Sequence, residues 1–309
     1  MITDIKIIVK SRAEWLEIWA EKKKLSFEMA ARLKQTKDWR LRKRGKNMEH
    51  CAELVSFNEC QDCGTRQIQT AFLCRDRICP VCNWRLAQKR WVTLFNALSA
   101  VYNDDLEFHF ITLTIRNVCS DYLSESLKHM SIAWNRLLQR RMVKNYVMGW
   151  ARSVEITYDK ELGLMHPHYH VIMITKRGLN LFEFDRNDIL DFWVQSVTKE
   201  GEIASRKGQD AREIKMDEET ENLLAAALET YKYTIKQQDL LSMPVADFIH
   251  YVKQIAGKRL TATGGILKQQ IKTDLDEVDQ KAIDCCPNCG SKDLAVACME
   301  WVGNTYRII

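Results

Sequence analysis

The stretch His166-Pro167-His168-Tyr169-His170-Val171-Ile172-Met173-Ile174 places three of the chain's seven histidines within five residues, at the start of an apolar run. Such a run of β-branched and aromatic residues is typical of a strand. Because alternate residues of a strand share one face, His168 and His170 are predicted to point together, while Tyr169 packs on the opposite side. Two imidazoles on one face make half of a metal site, and we favour this interpretation over two core histidines that only form hydrogen bonds.

A second predicted strand, 153–158, precedes the histidine strand and is joined to it by the turn-like segment 159–163. In a hairpin of these strands Glu155 would complete the metal shell, so it is the predicted third ligand. His166 is the alternative third ligand, and a surface role for Glu155 is the other interpretation. A carboxylate and two imidazoles with open coordination positions suit Mg²⁺ or Mn²⁺ acting on a phosphate, whereas a closed zinc site would need a fourth protein ligand.

A helix predicted over 218–236 carries Glu229, Tyr233 and Lys236, whose spacing places all three on one stripe. A tyrosine that attacks a phosphodiester forms a covalent phosphotyrosine, and it needs metal polarisation of the phosphate and help in losing its proton. Tyr233 is therefore the predicted nucleophile, with Glu229 as base and Lys236 as cation. Tyr231 lies about 200° around the helix from Glu229, which favours packing or DNA contact for it.

These segments resemble, in order, three motifs of the replication initiator (Rep) proteins of rolling-circle plasmids, which belong to the His-hydrophobe-His endonuclease superfamily. The matching segments are 110–117 (FITLTIRN), 166–174 and 229–236, the last with Lys232, Tyr233 and Lys236. Segment 79–85 is similar to the cysteine segment that precedes the first motif, so the resemblance covers about 74–265. The order and spacing make it specific, because the histidine motif alone is shared with relaxases and some transposases.

The resemblance implies a single-strand endonuclease and strand transferase that nicks a plasmid double-strand origin. Tyr233 would end in a 5′-phosphotyrosyl link, a free 3′-hydroxyl would prime the polymerase, and Glu229 would assist termination. The expected partners are origin DNA, both duplex and exposed single strand, and a host helicase and polymerase. The alternatives are a transposase or relaxase of the same superfamily and a non-catalytic, zinc-bearing DNA-binding regulator.

Most of the eleven cysteines lie in or near Cys-x-x-Cys pairs, which in a reducing compartment indicate structural zinc. The predicted ligands of a first zinc site are Cys60, Cys63, Cys79 and Cys82, with Cys74 as a substitute. Those of a second, ribbon-like site are Cys286, Cys289 and Cys298. Buried free thiols are the alternative for both groups, and Cys51 and Cys119 receive no role.

The composition indicates a folded chain, with 46% apolar residues over 309 positions. Without an apolar run long enough for a membrane span or a secretory leader, we expect a cytoplasmic protein with no membrane partner and no small-molecule substrate. The net charge is only +5, but segment 32–46 carries eight basic residues against the single Asp38. This run suits phosphate contacts, with a solvated helix face as the alternative.

The predicted fold class is α+β, with a central antiparallel sheet, flanking helices and small zinc-binding modules. Four segments are expected in the chain. They are a basic helical region (1–50), a cysteine-rich zinc module with a linking helix (51–100), an endonuclease domain (101–265) and a zinc-ribbon-like segment (266–309).

Overall fold

The computed structural model describes residues 10–177, 186–215, 221–231, 236–271 and 284–309. Its helices are α1 (Arg12–Lys34), α2 (Trp39–Glu49), α3 (Pro80–Val101), α4 (Leu123–Leu138), α5 (Arg141–Tyr146), α6 (Arg186–Thr198), α7 (Glu221–Tyr231), α8 (Gln237–Ser242), α9 (Val245–Gln254) and α10 (Ile266–Gln270). Its strands are β1 (Leu54–Cys60), β2 (Arg66–Ala71), β3 (Leu106–Thr114), β4 (Val147–Asp159), β5 (Leu164–Lys176), β6 (Asp210–Glu213), β7 (Thr261–Gly265), β8 (Leu294–Val302) and β9 (Thr305–Ile308).

The chain divides into a first unit, Met1–Leu86 with Asp276–Ile309, and a second unit, Ala87–Leu275. The first unit contains a four-stranded sheet in the order β2-β1-β8-β9, and its neighbouring strands are antiparallel. Helix α1 begins with a capping box, in which the Ser11 hydroxyl accepts from the Glu14 N–H and the Glu14 carboxylate accepts from the Ser11 N–H. Trp19 on this helix is fully buried.

The structure groups the chain differently from the four predicted segments. Strand β1, from the predicted zinc module, pairs along its whole length with β8, from the predicted ribbon. Local sequence patterns carry no signal for such a pairing, because the two strands lie at opposite ends of the chain. The first unit therefore has its own sheet in place of two small modules.

The second unit contains a five-stranded sheet in the order β6-β3-β5-β4-β7, with every neighbouring pair antiparallel. The histidine strand β5 is central, and β4 and β5 form the predicted hairpin. The Asp159 side chain closes its turn by accepting from the N–H groups of Glu161 and Leu162, and Gly163 has the positive φ, +67°, that favours glycine. The predicted α+β class with an antiparallel sheet and flanking helices is confirmed.

Helices cover both faces of this sheet. On one face, Tyr169 of β5 packs against Trp134 of α4 and Trp193 of α6, with ring centroids 6.1 and 5.5 Å apart. On the other face, α7 and α10 pack over a cluster that includes Ile172 and Tyr231. Fully burying one side chain of this size contributes about 1.5–3 kcal/mol. No helix of the described ranges combines the length and apolarity that crossing a membrane requires.

Candidate functional site

Three polar side chains of β4 and β5 converge on one face of the second unit's sheet. Glu155 pairs in register with His168, and Oε2 of Glu155 lies 3.0 Å from Nε2 of His168 and 2.8 Å from Nε2 of His170. All three residues are buried, and one ligand atom from each lies within 4.8 Å of the others. The alternation of β5 therefore brings both imidazoles to the same carboxylate, as the hairpin prediction required.

The second ring nitrogen of each histidine has its own neighbour. Nδ1 of His168 lies 3.3 Å from the carbonyl oxygen of His166, and Nδ1 of His170 lies 3.4 Å from the hydroxyl of Thr112 on β3. Such contacts orient an imidazole and direct its Nε2 toward a metal. Thr112 is a site residue that the sequence reasoning left without a role, although it lies within the first motif and opposite His170 in the β3–β5 register.

His166, the alternative third ligand, is placed differently. Its Nε2 is hydrogen-bonded to the hydroxyl of Thr114, and His166 does not belong to the group formed by Glu155, His168 and His170. Of the two candidates, the structure brings Glu155 to the histidine pair. The donor set of one carboxylate oxygen and two imidazole nitrogens leaves coordination positions open, which fits a divalent ion that also binds substrate.

Lys236 places a positive charge beside the Glu155 carboxylate, with its ammonium nitrogen 3.1 Å from Oε1 of Glu155. Burial by itself would raise the pKa of Glu155, but hydrogen bonds from His168 and His170 and then from Lys236 hold it well below its usual value. The same contact raises the pKa of Lys236. Glu155 is therefore a carboxylate near neutral pH, the form that a metal ligand needs.

The prediction that one helix extends from 218 to 236 is wrong at Lys236. Helix α7 is described as far as Tyr231, and Lys236 has an extended backbone (φ −73°, ψ 118°) as the N-cap residue of α8. Glu229 and Lys236 therefore do not share a stripe of one helix. Tyr233, the predicted nucleophile, lies outside the described residues. Tyr231 is 1% exposed and packs in the apolar core, which is one of its two predicted roles, the other being DNA contact.

Glu229 is exposed near the end of α7 and lines a cavity of about 480 Å³ with Phe110 and Arg212. The Phe110 ring stacks on the His170 ring, with centroids 5.5 Å apart and an interplanar angle of 27°. The Arg212 guanidinium lies 5.2 Å from the centroid of the same Phe110 ring. The cavity that contains Glu229 is thus separated from His170 by a single aromatic ring.

Eight cysteines of the first unit form two groups of four. One group consists of Cys51, Cys74, Cys79 and Cys82, and the other of Cys60, Cys63, Cys286 and Cys289. Within the first group, Sγ–Sγ distances are 3.5 Å for Cys51–Cys82 and 3.7 Å for Cys74–Cys82 and Cys51–Cys79. In the second they are 3.6 Å for Cys60–Cys289 and 3.5 Å for Cys63–Cys286.

This arrangement corrects the predicted pairing of the Cys-x-x-Cys motifs. Cys60 and Cys63 meet the carboxy-terminal pair, because β1 and β8 bring these two segments together, and they do not meet Cys79 and Cys82. Cys74 is a full member of its group and not a substitute, and Cys51 joins it although no role was predicted for it. Cys298 lies on β8 and belongs to neither group.

A known protein family matches most of the chain. The model of Rep_1, described as a replication protein family, matches residues 65–306. The chain belongs to this family. The match confirms the resemblance to plasmid replication initiators, and it extends beyond the three motifs to β8 and the first half of β9.

Proteins similar to this Rep-family chain occur in several bacteria. It is 30% identical to a Protein rep of Bacillus amyloliquefaciens over 74% of this chain and 72% of the relative. It is 29% identical to a Protein rep of Lactiplantibacillus plantarum over 84% and 83%, and 28% identical to one of Streptococcus pneumoniae over 72% and 69%. No solved structure matches the chain.

Proposed function

We propose that this replication protein is a metal-dependent, site-specific single-strand DNA endonuclease and strand transferase that initiates rolling-circle replication at a plasmid double-strand origin. The observation that carries the proposal is the convergence of Glu155, His168 and His170, with Lys236 on the free carboxylate oxygen. A catalytic metal site of this composition favours an enzyme over a DNA-binding regulator. The family match favours replication over the relaxase and transposase alternatives.

Glu155, His168 and His170 would hold Mg²⁺ or Mn²⁺, and the bound ion would polarise the scissile phosphate. Thr112 would keep the His170 ring in position through its contact with Nδ1. Lys236 would add a fixed positive charge beside the phosphate. A buried site with preset charges costs little reorganisation when the transition state forms.

Tyr233 is the proposed nucleophile. Its flanking described residues support this assignment, because Tyr231 is buried in the core and Lys236 contacts Glu155. The Tyr233 oxygen would attack the phosphorus and lose its proton, while the bond from phosphorus to the 3′-oxygen breaks and that oxygen gains a proton. The products are a 5′-phosphotyrosyl link and a 3′-hydroxyl that primes the host polymerase, behind a host helicase.

Glu229 is proposed to act at termination, as general base for a water that attacks the regenerated origin. We expect Glu229→Ala to nick the origin and form the covalent adduct, since Tyr233 and the metal ligands remain. Its replication products should be longer than one plasmid length, and sizing of these products on a denaturing gel measures the effect. Unit-length circles at the normal yield would remove Glu229 from termination.

A nicking assay on supercoiled origin plasmid, with and without Mn²⁺, tests the proposed activity as a whole. An initiator converts the plasmid to the open circular form only when the metal is present. A regulator would shift the DNA on a native gel and never relax it. A relaxase or transposase would nick a different sequence, so a plasmid without the replication origin serves as the control substrate.

The basic segment of α1 and α2 is proposed to hold duplex DNA beside the origin. Two of its charges are occupied within the protein, because Lys34 pairs with Glu49 and Arg44 makes hydrogen bonds of 2.7 and 3.0 Å with Asp76. The exposed cations left for phosphate contacts are Lys37, Arg40, Arg42, Lys43 and Lys46.

Both cysteine groups are proposed to bind structural zinc. Tetrahedral zinc with Zn–S bonds of about 2.3 Å places its sulfurs about 3.8 Å apart, close to the 3.5–3.7 Å found in the two groups. A disulfide would require about 2.05 Å. Lys23 also supports the first site, since this fully buried ammonium donates a 2.7 Å hydrogen bond to the Cys51 carbonyl and offsets thiolate charge.

We therefore predict two tightly bound zinc ions per chain. Cys51→Ser and Cys286→Ser should each lose one zinc, because each removes a ligand from a different group, and the double variant should lose both. Cys298→Ser and Cys119→Ser, which change cysteines outside the two groups, are the controls and should retain two. Elemental analysis of the purified protein gives the stoichiometry. A single zinc lost by both variants alike would mean that the groups form one site.

A further inference from the structure

Another cavity of the second unit, here named the Arg152 cavity, lies on the sheet face opposite the Glu155 site, which is the group formed by Glu155, His168 and His170. It has a volume of about 440 Å³ and is bounded by α4, β4 and the loop before β7. Four of the described lining residues are basic, namely Lys128, Arg152, Lys258 and Arg259. None of the described lining residues is acidic. Concentrated positive charge without carboxylates is what an anion site requires.

Arg152 is the most informative of these residues, because it is only 7% exposed. Its guanidinium lies 4.3 Å from the centroid of the Tyr169 ring and 5.5 Å from that of Trp134. Its Nε has no hydrogen-bond partner within the described residues, and no described carboxylate pairs with it. An arginine is always charged, and within the described residues this buried charge has the Tyr169 side chain and two aromatic rings as partners but no carboxylate, so it points to an added anion.

The rest of the cavity suits one nucleotide. Trp150 lines it and is half-buried, which leaves aromatic surface for a base. Gly264 on β7 makes room for this ring, since a Cβ at Gly264 would lie 2.4 Å from a Trp150 ring atom. A cavity of about 440 Å³ is in the range of small-ligand sites and is far too small to enclose a double helix.

Residues of strands β4 and β5 contribute to both the Glu155 site and the Arg152 cavity. On β4, Arg152 and Glu155 lie on opposite faces three residues apart, and on β5 Tyr169 lies between His168 and His170. At about 3.3 Å per residue, the separation along β4 is about 10 Å. Because the two sites lie on opposite faces of the sheet, a single DNA strand that occupies both must pass around the sheet, and its path is longer than this separation.

We propose that the Arg152 cavity is a second DNA site, which binds a phosphodiester and the adjoining base of the single strand whose scissile phosphate lies at Glu155. Arg152, Lys128 and Arg259 contact the phosphate, and Trp150 stacks on the base. The choice of the cleaved strand as the occupant rests on the proposed function. The anion site itself rests on Arg152 and its cavity.

The test measures binding without cleavage, using the full chain with Tyr233→Phe and a fluorescein-labelled, mixed-sequence single strand in an anisotropy titration at several salt concentrations. Lys128→Ala/Arg259→Ala should weaken binding about tenfold. The slope of log K against log salt should fall by about 0.7 for each phosphate that the variant no longer binds. Lys253→Ala, an exposed charge on α9 outside the cavity, is the matched control and should leave binding nearly unchanged.

Arg152→Met distinguishes an effect on DNA binding from an effect on folding. Methionine keeps an apolar side chain against Tyr169 and Trp134 but removes the positive charge. We expect weaker single-strand binding with an unchanged or higher melting temperature. A lower melting temperature with unchanged binding would make Arg152 a structural residue and overturn the proposal. Weaker binding to duplex but not to single strand would also overturn it. Failure of the nicking proposal leaves these binding results unaffected, so the two can be distinguished.

Discussion

His168→Ala and His170→Ala are each expected to lower the rate of origin nicking at least about a thousandfold, or about 4 kcal/mol in the transition state. Each substitution removes one of the two imidazoles that meet at Glu155, and the scissile phosphate would then lose the proposed metal polarisation. Duplex origin binding should remain nearly intact, since neither side chain is exposed for phosphate contact. Relaxation of supercoiled plasmid in Mn²⁺ measures the first effect, and a gel-shift titration measures the second.

Two further substitutions test whether Glu155 or His166 is the third metal ligand. Glu155→Ala should be as inactive as the histidine variants, whereas His166→Ala should retain most activity, because His166 is bonded to Thr114 and lies outside the ligand group. The control is His50→Ala, which changes an exposed histidine of the first unit. A His168→Ala/His170→Ala double variant that nicks at the normal rate would end the metal-site proposal.

The sequence predicts that Glu155, His168 and His170 come together, because this depends only on neighbouring segments of the chain. Alternation along β5 fixes which side chains share a face, and the five-residue turn leaves an antiparallel hairpin as the simple connection to Glu155. Apolar residues also recur with helical spacing over 83–101 and 121–138, which predicts two helices there, and α3 and α4 lie close to these ranges.

The cysteine pairing could not be predicted in the same way. A Cys-x-x-Cys pair identifies half of a zinc site, but which halves meet depends on strand pairing between distant segments. The position of Lys236 outside a helix could not be predicted either, for a different reason. Segment 229–236 contains neither Gly nor Pro, so it has no local signal that stops a helix before Lys236. The sequence does not single out Arg152, because its burial without a described carboxylate partner becomes evident only in the fold.

The prediction with the most direct chemical outcome concerns the nucleophile. Tyr233→Phe should abolish the covalent protein–DNA adduct and the nick, since it removes the phenol oxygen that is proposed to form the link. Tyr231→Phe should retain both, because Tyr231 is buried in the core and its ring, which the substitution keeps, makes the packing contacts. The adduct is measured on a denaturing gel with an origin strand labelled on the 3′ side of the nick, so that the label remains with the protein.

Thermal melting accompanies the adduct assay, because a loss of adduct through unfolding would otherwise mimic loss of the nucleophile. Tyr233→Phe should melt like the unmodified chain, and it should still bind single-stranded DNA through the Arg152 cavity. If Tyr231→Phe removed the adduct without lowering the melting temperature, and Tyr233→Phe retained it, the nucleophile would be Tyr231. Helix α7 would then have to unwind at its end during catalysis, because the described position of Tyr231 gives its oxygen no access to DNA.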